Sequence, residues 1–140
     1  MAKDAKLEML AGVPLFTQLG KRELQRVGQL ADVLDRPAGR TLMRQGESGS
    51  EAMVIVTGRA KIERDGHVVD EIGPGAVVGE MALLSGRPRV ATVTLLTDAR
   101  LLLLARREFQ ALMDEMPSVR SQIMECLAMR LMQAEDNPTL

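Results

Sequence analysis

One stretch of the sequence, VVGEMALLSGRPRVATV at residues 77–93, combines one acid with two arginines inside a mostly apolar run. Its helix formers, which begin at Glu80, predict a single helical turn whose first backbone N–H groups lack intrahelical partners and can bind an anion. Gly79 would let a ligand approach the backbone closely. We expect Arg89 to complete an anion site, because Pro88 fixes the backbone before it and a β-branched segment follows.

Glu80 needs a different partner, since a carboxylate next to a phosphate would be repelled. It is suited to accept hydrogen bonds from ligand hydroxyls or to pair with an arginine, and the alternative is a helix-start acid that the helix dipole favours. A ligand that carries one phosphate beside a sugar hydroxyl would satisfy Glu80 and Arg89 together. Arg87 is expected to be a solvated surface group. The apolar side chains of the turn are expected to lie mainly in the core: Met81, Leu83 and Leu84.

The pattern of apolar residues around this stretch changes twice along the chain, from helix-like to strand-like and back. Apolar residues at helix spacing predict helices over 1–32, interrupted at GVPLFTQLG by glycine and proline. From about 33 to 105 short β-like runs lie between glycines, and Asp65-Gly66 is typical of a two-residue hairpin turn. The runs are VLDRPAG, RTLMRQGE, AMVIVTGRAKIE, HVVDEIGPG, ATVTLL and RLLLLA. This spacing predicts a small antiparallel sandwich or barrel.

A helical pattern of apolar residues returns over 106–136. The segment RREFQALMDEM is stopped by Pro117, and Ser118 is the expected N-cap of the last helix. That helix carries one apolar stripe: Val119, Ile123, Leu127 and Leu131. Cys126 lies within it, where we expect a packed thiol, whereas His67 beside the hairpin turn is expected to be exposed. The sequence therefore predicts one domain over 1–140, of mainly β, α+β class.

Composition excludes several functions. The net charge of −1 over 140 residues argues against nucleic-acid binding, which needs clustered Lys and Arg. One cysteine provides neither a disulfide nor a metal-ligand set, and no nucleophile, base and orienting group occur together, so no metal, cofactor or enzymatic activity is expected. With no signal peptide and no membrane-length apolar run, the chain is expected to be cytoplasmic. A ligand here cannot stack on Trp or Tyr, because the sequence has neither.

The stretch GEMALLSGRPRVATV resembles the phosphate-binding cassette of the cyclic nucleotide-binding domain family, which has Gly-Glu-apolar-Ala-Leu, a spacer, then Pro-Arg-x-Ala-Thr-apolar. The resemblance extends to GVPLF near the N-terminus, GE at 46–47, Gly58 and GPG at 73–75. It implies an antiparallel β-roll, or jelly roll, that holds the cassette at 79–92. N-terminal helices and C-terminal hinge and lid helices would flank the roll.

By position, the resemblance implies that Arg89 pairs with a cyclic phosphate and Glu80 holds the ribose 2′-hydroxyl. Family members often place Thr or Ser after the arginine to bond guanine, whereas Val90 cannot donate, so cyclic AMP (cAMP) is favoured modestly over cyclic GMP (cGMP). Arg130 is expected to stack on the base as the lid residue, with Leu127 and Leu131 alongside and Ile62 on the other face. The alternative for Arg130 is an ordinary charge on the helix surface. Backbone groups would line the rest of the pocket: Gly79, Met81, Ala82, Val90 and Ala91.

The resemblance therefore implies a regulatory module that binds cAMP, with no cofactor, and transmits occupancy through its last helix to an unidentified output protein. The alternative is a non-catalytic interaction domain of the same fold whose pocket is disused. Retention of both Glu80 and Arg89 argues against that alternative. A freestanding sensor and a regulatory domain of a channel, transporter or kinase both remain open, as does oligomeric state.

Overall fold

The structure is a computed structural model that describes residues 3–136, apart from the side chains of residues 3, 130, 131 and 133–136. In that part of the chain, helices, strands and helices follow one another as the sequence predicted. In chain order the elements are α1 (Lys3–Ala11), a 3₁₀ helix (Pro14–Phe16), α2 (Lys21–Leu30), β1 (Asp32–Arg36), β2 (Thr41–Met43), β3 (Glu51–Thr57), β4 (Ala60–Arg64), β5 (His67–Ile72), β6 (Val77–Val78), α3 (Glu80–Ser85), β7 (Thr92–Leu95), β8 (Ala99–Ala105), α4 (Arg106–Glu115) and α5 (Pro117–Asp136).

The predicted break between the first two long helices is present. Pro14 begins the 3₁₀ helix, a position where its missing N–H costs no hydrogen bond. At the start of α2, the backbone N–H of Gly20 donates to the Glu23 carboxylate at 3.2 Å, which satisfies a group that the helix itself leaves without a partner.

The strands form two antiparallel sheets, in the orders β1-β8-β3-β6 and β2-β7-β4-β5. This confirms the antiparallel roll. Asp65 and Gly66 turn β4 into β5 with φ angles of 52° and 82°, as the dipeptide predicted. Two details were not predicted. Gly58, at a φ of 101°, divides AMVIVTGRAKIE into β3 and β4, and Val77–Val78 add the short strand β6 beside β3.

Two clusters of buried apolar side chains hold the roll and helices together. One lies between the helices and the first sheet, and the other lies between the two sheets. Along β8, Leu102 and Leu104 belong to the first cluster and Leu101 to the second, because successive side chains point to opposite faces of a strand. A strand that is buried on both faces reads as a continuous apolar run, which explains the sequence RLLLLA.

The C-terminal helices differ from the prediction at two residues. α5 begins at Pro117, so the prediction that Ser118 caps it is wrong, since the fixed φ of proline suits the first helical position. Val119 and Ile123 are buried as the stripe predicted, but Cys126 is exposed, which contradicts the expected packed thiol. Leu127, the next residue of the stripe, is partly buried and packs against the same core cluster, whereas Met124 is exposed. None of the described helices has the length and apolar character that a membrane span requires.

Candidate functional site

A pocket of about 110 Å³ opens beside α3 and brings together eight of the nine predicted contact residues. They are Ile62, Gly79, Glu80, Met81, Ala82, Arg89, Val90 and Ala91. Three further wall residues were not predicted: Met43, Val78 and Val93. The ninth predicted contact, Arg130, is on α5, but its side chain lies outside the described part of the chain. A larger hollow of about 490 Å³ lies elsewhere, beside the ion pair of Asp35 and Arg100, and contains none of these residues.

Gly79 connects β6 to α3 at the floor of this pocket. It has a φ of 88°, a conformation that side chains other than glycine rarely adopt. A Cβ atom added there would lie 2.5 Å from Nη1 of Arg89 and 2.6 Å from the terminal methyl of Met43. Glycine is therefore required by the packing of the protein itself, in addition to any access that it gives a ligand.

Arg89 is fixed through both its backbone and its side chain. Its N–H donates to the Glu47 carbonyl and its own carbonyl accepts from the Gly46 N–H, both at 2.8 Å. The guanidinium donates from Nη1 to the Gly79 carbonyl at 3.0 Å and from Nη2 to the Glu51 carbonyl at 2.8 Å. These bonds use two of the five N–H donors of an arginine, so other N–H groups of the same fork can donate to an anion.

The position of Arg89 favours an anionic ligand electrostatically. Arg89 is only 8% exposed. Burial lowers its pKa below the ordinary arginine value, and the negative charges of Glu51 and Glu80 partly offset that effect. The guanidinium still stays protonated, since arginine does not lose its proton in proteins. A buried cation is costly unless negative charge compensates it, so an anion bound at Arg89 would be stabilised strongly.

Glu80 is the second buried ionisable residue of the pocket. It is 1% exposed and is the first residue of α3, where the helix dipole favours a carboxylate. Glu80 therefore begins a helix, as one of the two predictions has it, and also lines the pocket, which leaves the binding of ligand hydroxyls as a prediction. Arg87 is exposed, as predicted, and its backbone N–H donates to the Ser85 hydroxyl at 3.1 Å.

Gly49 is a residue of the site that sequence reasoning missed. A Cβ atom at this position would lie 2.5 Å from Cζ of Arg89 and 2.9 Å from Cβ of Ala82. The guanidinium therefore packs directly on the Gly49 backbone. The glycine-rich segment GESGS at 46–50 was the available hint, but nothing in it indicates which side chain would pack there. Among the described residues, no group of three or more His, Cys, Asp or Glu side chains could hold a metal ion.

Residues 34–116 match the sequence pattern of a known family, described as the cyclic nucleotide-binding domain. This match covers more than half of the chain. The chain belongs to the cyclic nucleotide-binding domain family. The family assignment confirms the resemblance that the cassette predicted, and the antiparallel roll with its helices agrees with the fold that this resemblance implied.

Three relatives of this chain are longer than it is. A cyclic nucleotide-gated potassium channel of Rhizobium etli is 39% identical over 116 residues, which cover 83% of this chain and 32% of the channel. The catabolite activator protein of Thermus thermophilus is 29% identical, with a TM-score of 0.76 over 87% of this chain and 60% of that chain. The regulatory domain of Toxoplasma gondii PKA, crystallised with cAMP, has a TM-score of 0.75 at 23% identity, over 89% of this chain and 49% of that chain. The chain spans less than two thirds of each.

Proposed function

We propose that this chain is a non-catalytic cyclic nucleotide sensor, which binds cAMP in the pocket beside α3 and transmits occupancy through its C-terminal helices. The observation that carries the proposal is the buried guanidinium of Arg89, held between two backbone carbonyls at the wall of that pocket. The fold alone does not specify a function, so the proposal depends on this site and on the family to which the cassette belongs.

The ligand is oriented by its two ends. The cyclic phosphate accepts hydrogen bonds from Arg89, and the ribose 2′-hydroxyl donates to Glu80. Backbone groups of the cassette complete the cradle: Gly79, Met81, Ala82, Val90 and Ala91. Support comes from the pocket, which these residues line together, and from the cAMP that was crystallised with the related Toxoplasma domain.

The base lies at the mouth of the pocket, between Ile62 and the lid. A pocket of about 110 Å³ is smaller than the roughly 300 to 1,000 Å³ typical of ligand sites, so part of a nucleotide would project from it. No described residue of α5 lines the pocket. We infer that α5 closes over the projecting base, with Arg130 stacked on the purine and Leu127 and Leu131 beside it.

Transmission follows from this closure. Only the closed arrangement has contacts between the lid and the base, so bound ligand shifts the population toward it. The output partner then reads the positions of the C-terminal helices. The preference for cAMP over cGMP follows from Val90, which is 41% exposed at the pocket and has no hydroxyl to donate to guanine.

Calorimetric titration of ligand-free protein with cAMP, cGMP and 5′-AMP tests the proposal. Any co-purified ligand is first removed by unfolding and refolding. We expect cAMP to bind about tenfold more tightly than cGMP, the equivalent of one missing hydrogen bond. We expect 5′-AMP to bind most weakly, because its phosphate is not held against the sugar by the ring. Absence of heat with both cyclic nucleotides would overturn the proposal and favour an interaction domain with a disused pocket.

A further inference from the structure

We propose that Arg106 couples the nucleotide pocket to α4, by joining the end of α3 to the backbone segment that supports Arg89. This inference rests on the proposed cAMP-sensor function. Arg106 is the first residue of α4, and no loop separates it from β8. If the groups that its side chain bonds are displaced, Arg106 therefore transmits that displacement to the first turn of α4.

The Arg106 side chain bridges two parts of the cassette region. Its Nη1 donates to the Leu83 carbonyl at 2.9 Å, and its Nη2 donates to the Gly49 carbonyl at 3.2 Å. Leu83 is in the last turn of α3, where carbonyls lack intrahelical partners and the helix dipole favours a cation. The backbone N–H of Arg106 also donates to the Ser50 carbonyl at 3.0 Å. Three hydrogen bonds thus connect this residue to α3 and to 49–51.

The segment 49–51 also supports the pocket arginine. The Glu51 carbonyl accepts a hydrogen bond from Arg89, and the guanidinium packs so closely on Gly49 that a Cβ atom would not fit. Gly49 and Glu51 therefore contact the guanidinium of Arg89, while Gly49 and Ser50 are bonded to Arg106 at the start of α4. A ligand that draws Arg89 toward its phosphate must displace or strain this segment, and Arg106 is bonded to the same backbone.

α3 provides a second connection between the pocket and Arg106. Its N-terminal residue, Glu80, lines the pocket, and its C-terminal turn accepts the hydrogen bond from Arg106. Because α3 has only six residues, a movement imposed at one end reaches the other. Arg106 is thus a positioning residue for the response and does not line the pocket.

The test uses Arg106→Met, which keeps the aliphatic stem and removes the donors, and Arg106→Lys, which keeps the charge without the planar fork. Arg107→Met is the matched control, because Arg107 is the neighbour in the same helix, is exposed like Arg106, and makes none of the hydrogen bonds that Arg106 makes to Leu83 and Gly49. The single cysteine, Cys126, is exposed on α5 and accepts an environment-sensitive fluorophore without further substitutions. Each variant is titrated with cAMP in two measurements, binding by calorimetry and fluorescence of the label at saturating ligand.

The parent and Arg107→Met are expected to bind cAMP and to give the same fluorescence change. In Arg106→Met the change at saturation should fall to less than half, while the affinity for cAMP weakens by no more than about tenfold. Arg106→Lys should lie between the two, and it supplies the test if Arg106→Met does not fold. A residue that only stabilised the fold would lower the melting temperature and leave the fluorescence change at saturation intact.

An undiminished change in both Arg106 variants would overturn the coupling role. So would a parent protein that binds cAMP without any response of the label, since occupancy would then not reach α5. Failure of the proposed function is a separate result, namely no binding of cAMP by the parent in the calorimeter.

Discussion

The cassette and the helical bundle that contains α2 and α4 each have an arginine that joins distant parts of the chain, but the two arginines have opposite kinds of partner. In the cassette, Arg89 is buried and donates to the backbone carbonyls of Gly79 and Glu51. In the bundle, Arg26 is half-exposed and forms two parallel hydrogen bonds with the Glu115 carboxylate, at 2.8 and 3.0 Å. The first cation has dipoles as its direct partners, and the second has a full negative charge.

This difference indicates where a ligand contributes most. The ion pair in the bundle is neutral as it stands, and water already solvates both groups, so an added anion would gain little there. The cassette arginine has given up most of its water, and its side chain donates to the neutral backbone carbonyls of Gly79 and Glu51, with the charges of Glu51 and Glu80 nearby. An anion at Arg89 would therefore gain charge-assisted hydrogen bonds in a region of low polarity.

Replacement of Arg89 by alanine should have the largest effect on ligand binding. We expect a loss of about 2 to 5 kcal/mol of cAMP binding free energy, because the variant leaves the phosphate buried without its charged partner. Arg87→Ala is the matched control from the same cassette, and we expect an affinity within about twofold of the parent, since that arginine is exposed. Calorimetry measures both. Equal losses from the two variants would indicate general attraction of the anion and refute a specific role for Arg89.

Gly49→Ala should weaken binding less, because it displaces the Arg89 guanidinium without removing its charge. The added Cβ would lie 2.5 Å from Cζ of Arg89, and we expect cAMP affinity to fall about tenfold, or about 1.4 kcal/mol. Gly28→Ala is the control, since its Cβ would lie 3.6 Å from the nearest atoms, in the side chains of Leu10 and Lys6. Unchanged affinity in Gly49→Ala would show that the guanidinium does not depend on this close approach.

The contrast between Gly49 and the hairpin turn shows which parts of the molecule the sequence could predict. The Asp65-Gly66 turn was predicted correctly because two adjacent residues with positive φ determine it. The same holds for the stop before Pro117 and for the cassette, whose ordered motif identified seven wall residues of one pocket. Each of these features depends on short spacing along the chain.

The features that were missed depend on contacts between distant residues. The carbonyl of Glu51 lies 38 positions before its donor Arg89, and the carbonyl of Leu83 lies 23 positions before Arg106. A backbone carbonyl has no residue-type pattern, so no motif could reveal these partners. The exposure of Cys126 was missed for a related reason, because the core contacts α5 through Val119, Ile123 and Leu127, and Cys126 does not belong to that stripe.

Val90→Thr should change the affinity for cAMP itself less than Gly49→Ala does, and its effect should appear in selectivity. A hydroxyl at this position can donate to guanine, so the ratio of cAMP to cGMP affinity should fall by about tenfold, within the roughly 0.5 to 1.5 kcal/mol of one hydrogen bond. Val90→Ala is the matched control, because it reduces the side chain without adding a donor. Titration of each variant with both nucleotides gives the ratios. A similar fall in Val90→Ala would mean that side-chain size, and not a hydrogen bond, sets the preference.

The smallest effect is expected in the bundle, and it concerns stability and not binding. The hydrogen bonds from Arg26 hold the pKa of Glu115 below its ordinary value. A carboxyl whose pKa is lower in the folded state stabilises the fold above its unfolded pKa and loses that contribution as the pH falls through the folded value. Thermal unfolding should therefore show Glu115→Gln less stable than the parent near neutral pH, with the difference vanishing in acid. In an Arg26→Met background the same substitution should produce no pH-dependent difference. If the pH-dependent difference persisted in the Arg26→Met background, the Arg26–Glu115 pair would not be its cause. Arg26 would then no longer serve as the example of an arginine neutralised by its own carboxylate, in contrast to Arg89.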